Sequence, residues 1–358
     1  MKIYFVLTSF LFLLFSCNNN HEPVEKELTL TGISTTYVNS SIRALEVIDD
    51  HNIWFAGSKG KFGFSKDAGI TWTVDSIKTD TIVPHFRAIA HHDDAIFLLS
   101  IESPALLYRT EDEGKNWEIV YREEHPAAFY DAMTFWDNKE GIAMGDPTDG
   151  CLSIIITRDG GNSWTKLLCD LLPPSAEGEA AFAASNSNIA VQGQHAWIAT
   201  GGKKSRIFHT ADRGRTWEVF DTPIIQDAQM TGVFSLDFKD ENNGIIFGGD
   251  WEKMELNTKN KAITKDGGKT WQLVDGGDTP GYRSCVRYFP DSKNNAIMAV
   301  GIPGVSYSPD GGQHWRTFSD EPFYTLRFGS KKNVAFVAGS EKIGRIEFAP
   351  VGINSNAK

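Results

Sequence analysis

The strongest constraint on this chain is an eight-residue pattern, Ser/Thr-x-Asp-x-Gly-x-x-Trp, that recurs six times, at 65–72, 110–117, 157–164, 210–217, 264–271 and 308–315. Its acidic residues are Asp67, Asp112, Asp159, Asp212, Asp266 and Asp310, separated by 45, 47, 53, 54 and 44 positions. A period of this size marks a solenoid, propeller or array, in which a supersecondary unit buries its apolar face only against its neighbours.

Each position has a physical task. An Asp in a tight turn accepts N–H bonds from the residues that follow it. The Gly two places on takes a positive φ, which a bulged hairpin requires. The Ser or Thr closes the incoming strand. The Trp opens the outgoing strand and is large enough to fill the gap between adjacent sheets. Six of the ten Trp fall in these turns, so most of that aromatic excess is structural.

Upstream of each turn, and once more after the last, runs an apolar strand ending in a small residue, at 53–57, 95–100, 141–145, 196–201, 244–248, 296–301 and 334–339. Another short strand precedes each of these, at 42–45, 86–89, 130–133, 180–183, 233–236, 284–287 and 324–327. The unit is therefore four strands, with the turn between the third and fourth. Near-continuous apolar runs suit sheets covered on both faces. Seven units predict an all-β, seven-bladed β-propeller over 28–349, with a tail at 350–358. The seventh unit lacks a turn and a fourth strand, and 28–33 is a spare strand. That spare strand is expected to pair with 343–348 and close the ring, because an open edge invites aggregation.

The turn resembles the Asp-box, or bacterial neuraminidase repeat. The set resembles the propellers of photosystem-II stability and assembly factors, which also occur as secreted proteins of non-photosynthetic bacteria. The resemblance covers nearly all of the chain after its first residues. It speaks for fold more than activity, since sialidases, xyloglucanases, sortilin-type receptors and assembly factors share the box.

The N-terminus carries an address. Met1-Lys2 precedes an apolar run from Ile3 to Phe15, then Ser16 and Cys17. One positive charge followed by a short apolar core reads as a secretory signal over 1–16, too short to span a bilayer. The end of the run resembles a lipobox, which implies lipidation at Cys17 and a polar tether over 17–27. Asn18 rather than Asp after the cysteine favours the bacterial outer membrane by the same resemblance. Membrane attachment is expected through this anchor alone.

A formal charge of −11 argues against nucleic acid as a partner. No Gly-x-Gly-x-x-Gly opens a helix, so no nicotinamide or flavin cofactor is expected. Gly267-Gly268-Lys269-Thr270 imitates a phosphate loop but belongs to a box turn. His91-His92-Asp93-Asp94 has metal-friendly side chains, yet it falls at a predicted turn, and no metal is expected.

Candidate ligand residues lie at the ends of strands opposite the box turns. They are Arg43, Arg87, Asp131, Tyr282 and Arg283 at the entrances of innermost strands, with Asp146, Asp250 and Trp251 in loops after second strands. The arginines are suited to gripping a carboxylate or phosphate. The expected role is a monomeric binding or scaffold module for a protein or glycan partner. The alternative is a sialidase-like or other glycan-active hydrolase at the channel mouth. For it the resemblance implies three arginines on a substrate carboxylate (Arg43, Arg87, Arg283), a Tyr324 nucleophile and Glu179 as its helper. The sequence departs from that pattern: Phe86-Arg87-Ala88-Ile89 lacks the Pro of the sialidase motif, sialidases have six blades, and no acid/base Asp can be placed.

Register across the third box hairpin pairs residues whose numbers sum to about 320, which sets Cys151 opposite Cys169 and allows a cross-strand disulfide. Cys285 is expected to be buried in an innermost strand.

Overall fold

The computed structural model describes Met1 and residues 27–78, 82–274, 279–330 and 333–351. Cys17 and the signal and tether segments fall outside the described residues, apart from Met1 and residue 27. Among the described residues, every element but one short 3-10 turn is a β-strand, and no helix is long and apolar enough to cross a membrane. Second strands such as Ile53–Gly57, Ala95–Ser100 and Ile297–Gly301 are buried at every residue, as strands covered on both faces must be.

The repeated turns are built alike. In the first, the Ser65 hydroxyl donates to Asp67 Oδ1 at 2.8 Å and accepts the Gly69 N–H at 2.8 Å. Asp67 in turn accepts the Thr71 N–H and the Thr71 hydroxyl. The six Gly residues of the pattern all have φ between 78° and 91°, where a side chain would be strained. The Trp rings then wedge against neighbouring strands. Trp117 meets Phe62 edge-on at 5.1 Å and Trp315 meets Phe247 at 5.5 Å.

The ring is not seven separate four-stranded blades. Its strands form six hydrogen-bonded sheets, four of four strands and two of six. The first fusion comes from Leu28–Val47, one unbroken 20-residue strand. Its first half pairs with Val334–Pro350, bringing Leu30 beside Phe348 and Ile33 beside Ile346. Its second half pairs with Ile53–Gly57. The spare N-terminal strand therefore welds the last unit to the first within one sheet, because no Gly or Pro between Ile33 and Ile42 breaks it. The second fusion runs through glycine. Gly201 pairs with Gly232, and Gly201–Gly202 pairs with Glu179–Ala180. A Cβ on Gly232 would sit 2.4 Å from the Gly201 Cα, so only bare backbone allows this contact.

The innermost strand expected at 180–183 also does not form. The strand beside His195–Ala199 is Ile189–Gln192. Residues 181–188 instead cross the centre of the ring and plug it. The Ala183 carbonyl accepts from Arg87 and the Ala184 carbonyl from Arg43. Ser185 O accepts the Thr325 hydroxyl, and Asn186 O accepts from Arg327. The Asn186 side chain accepts the Met133 N–H and donates to Ile89 O. A run of Ala, Ser and Asn is small enough to thread the channel, and Asn186 adopts φ 52°, which interrupts extended structure.

Cys151 and Cys169 are joined by a disulfide with a Cα–Cα distance of 5.5 Å. The expected register is off by one, since Ile156 faces Thr165 rather than Trp164. The outgoing strand stops at Lys166, and Cys169 opens the 3-10 turn Cys169–Leu171 that swings back to Cys151. Cys285 is a buried free thiol in the strand Cys285–Tyr288.

Candidate functional site

Box turns hang from the loops that join innermost to second strands: the Ala68 N–H donates to His51 O and the Gly160 N–H to Lys139 O. The other end of each innermost strand is left for a site. There a cavity of about 390 Å³ opens against the plug. Its walls are Arg43, Arg87, Phe129, Asp146, residues 180–184, Gln229, Met230, Phe234, Trp251 and Tyr282.

Five expected ligand residues meet here: Arg43, Arg87, Asp146, Trp251 and Tyr282. The Arg43 guanidinium lies 3.9 Å from the centre of the Tyr324 ring and donates to Ala184 O at 3.2 Å. Arg87 donates to Ala183 O at 3.0 Å. Among the described residues neither guanidinium forms an ion pair, and the Nε of each is buried without a partner. Burial, reinforced by the neighbouring Arg43, lowers the Arg87 pKa to about 10, and burial lowers that of Arg43. Arg87 therefore stays cationic at neutral pH, as guanidinium groups in proteins do generally.

The apolar wall is aromatic. Phe182 stacks on Phe234 at 3.8 Å, and Phe234 meets Tyr282 edge-on at 4.8 Å. Trp251 is 40% exposed at the rim, its backbone N–H donating to Met230 O. Behind the wall sits Asp131, wholly buried, with neither carboxylate oxygen hydrogen-bonded. Burial, then repulsion from Asp146, raises its pKa well above the carboxylate range, against the pull of Arg87. Asp146 is also raised by burial, although it accepts the Ala181 N–H at 2.7 Å.

Other expected residues go elsewhere. Arg283 is buried and donates from its two terminal nitrogens to Tyr282 O and Ser306 Oγ. Asp250 is turned into its own loop, accepting the Glu252 N–H. Glu179 is locked in a buried ion pair with Arg206 and accepts the Thr200 hydroxyl. Tyr324 serves as the platform under Arg43. Of the expected hydrolase set only Arg43 and Arg87 line the cavity; Arg283, Glu179 and Tyr324 are not among its walls. His91 and His92 also diverge, one to Glu46 at 2.8 Å and the other to Gly160 O at 2.9 Å.

Sequence reasoning missed Phe129, Phe182, Gln229, Met230 and Phe234 as cavity walls, and the plug carbonyls as arginine acceptors. The one available signal was the run of small residues after Phe182, unlike any other unit.

No family model and no curated protein matches the chain. Its fold is similar to that of "YCF48 bound to D1 peptide", with a TM-score of 0.65, 15% identity, and coverage of 90% of this chain and 99% of that one. A second similar structure is YCF48 from Cyanidioschyzon merolae, with a TM-score of 0.60, 15% identity, and coverage of 88% and 98%. The GH74 xyloglucanase from Xanthomonas campestris has a TM-score of 0.62 at 12% identity over 87% of this chain but only 53% of that one. The chain is a β-propeller.

Proposed function

We propose that the chain is a binding module that takes an anionic, apolar segment of a partner polypeptide into the cavity beside the plug. The observation that carries this reading is a pair of cationic side chains, Arg43 and Arg87, whose hydrogen-bond acceptors among the described residues are plug carbonyls alone, facing an aromatic-walled cavity. A carboxylate there would gain charge-assisted bonds, and an apolar side chain would cover the stacked phenylalanines. A similar fold, YCF48, is bound to a peptide, which supports a peptide as the ligand.

The test is a panel of short peptides with apolar side chains, each made with a free carboxylate and as its amide, titrated by calorimetry. Free carboxylates are expected to bind at least about tenfold tighter, because a hydrogen bond to a charged group contributes about 1.5–3 kcal/mol. Equal binding of acid and amide, or none by either, would remove the reading.

We further infer that the Asp-box turns face the membrane. Arg316, next after the last box Trp, contacts Leu28 O and Glu27, so the chain enters the ring on the box side. A lipid at Cys17 could lie no farther than roughly 40 Å from Leu28, given about 3.3–3.6 Å per extended residue. The cavity would then open away from the bilayer. Replacing Cys17 with Ser should abolish palmitate labelling and release the protein from membranes. Unchanged labelling and attachment would remove the anchor.

A further inference from the structure

We propose that Asp131 sets the charge of the cavity: while its carboxyl holds a proton, it leaves the charge of Arg87 and Arg43 free to accept an anion, and when it gives that proton to solvent the anion is released. This rests on the binding reading above and adds its regulation.

The geometry is that of an orphan. Asp131 is 0% exposed and, among the described residues, both its oxygens lack a hydrogen-bond donor, a state an ionised carboxylate can hold only at high cost. It is not part of the cavity wall, so a ligand need not touch it. Its charged surroundings are few. The strand Phe86–His92 brings Arg87, with His91 and His92 farther along it. The strand Gly141–Thr148 brings Asp146. The strands Ile189–Gln192 and Ala95–Ser100 also pack on this one and carry no charged residue. Arg87 feels Arg43, Tyr324 and Glu102 besides Asp131.

The logic follows from this set. A protonated Asp131 leaves the two cations with Asp146 in the cavity wall and Glu102 as their acidic neighbours. An ionised Asp131 would compensate Arg87 from behind and repel any carboxylate in front of it. By linkage, a bound anion makes Asp131 hold its proton more tightly, so anion binding and proton uptake go together.

The probe is benzoate, an aromatic carboxylate small enough for the cavity, titrated between about pH 5 and 9, below the range in which Arg87 itself would lose charge. Wild-type affinity is expected to fall at least tenfold across this range. Asp131→Asn should keep the low-pH affinity throughout. Asp146→Asn, which removes the like charge, should move the fall to lower pH. An infrared band of a protonated buried carboxyl should be present at neutral pH and missing from Asp131→Asn. If benzoate binds but affinity is flat with pH, or Asp131→Asn falls as wild type does, the coupling is overturned and the binding reading stands. A missing infrared band overturns it by itself. If the band is present and benzoate, like the peptides, fails to bind at every pH, the binding reading is overturned and the coupling with it.

Discussion

At one end of the ring, Asp67 and Asp112 sit at the solvent surface and each collects several hydrogen bonds. The Thr71 hydroxyl is the largest influence on Asp67, and the Asn116 N–H on Asp112; both carboxyls are held at about 2 against an ordinary 3.8. For Asp212 burial works the other way, but bonds from the Thr216 N–H and hydroxyl outweigh it and the value is again about 2. At the opposite end, Asp131 has no donor among the described residues, and burial drives it up instead. The same side chain is thus held as an anion where it staples a turn and pushed toward its protonated form behind the cavity. Donor supply and access to water decide which.

The largest effect that tests this division is structural. Trp315→Ala should cost about 3–5 kcal/mol of stability, as large aromatic truncations do, while peptide affinity of the folded fraction stays unchanged. A parallel loss of affinity at saturating stability would mean that the two ends are not independent. Breaking the Cys151–Cys169 bridge should come next. The two cysteines lie 18 residues apart, and cross-links closing loops of this size contribute about 3 kcal/mol. Denaturant unfolding of Cys151→Ser with Cys169→Ser measures this.

Arg87→Ala should do the reverse of the tryptophan change. Free-carboxylate peptides should bind at least about tenfold more weakly, at about 1.5–3 kcal/mol, with unfolding nearly unaltered by comparison. The smallest effects are in the pH dependence of stability, and the two ends should differ in sign. Asp67, Asp112 and Asp212 are depressed in the folded state, so their contribution is full above about pH 4 and is lost as the pH falls through about 2. Asp131 is raised, so its contribution is full below the ordinary carboxylate value and is lost as pH climbs toward its folded-state value. Asp131→Asn should therefore melt higher than wild type at neutral pH, by a few degrees, and the gap should close in acid. A gap that widens in acid would reverse the assignment.

The turns were legible because their chemistry is local. Ser65, Asp67, Gly69 and Thr71 satisfy one another within seven residues, so the pattern carries its own geometry. The cavity was half legible. Arg43, Arg87 and Tyr282 could be placed by their position at strand entrances, and Asp146 and Trp251 by their loops. Arg283 met the same criterion and faces elsewhere, because orientation at a strand end depends on the sheet behind it. Phe182 and Phe234 could not be joined from sequence, since their stacking needs the 181–188 segment to leave its sheet.

By itself, then, the sequence determined an all-β repeat, its turns, and which end of each strand could hold a site, because those follow from short-range periodicity and hydrogen bonding. The tertiary structure alone decided that the ring forms six sheets, that 181–188 fills its centre, and that Asp131 lies buried with no donor. Each of these depends on how distant backbones fit. Leu28–Val47 runs unbroken between two units, Gly201 lies bare against Gly232, and the plug carbonyls take up arginine N–H groups that a channel full of water would have satisfied otherwise.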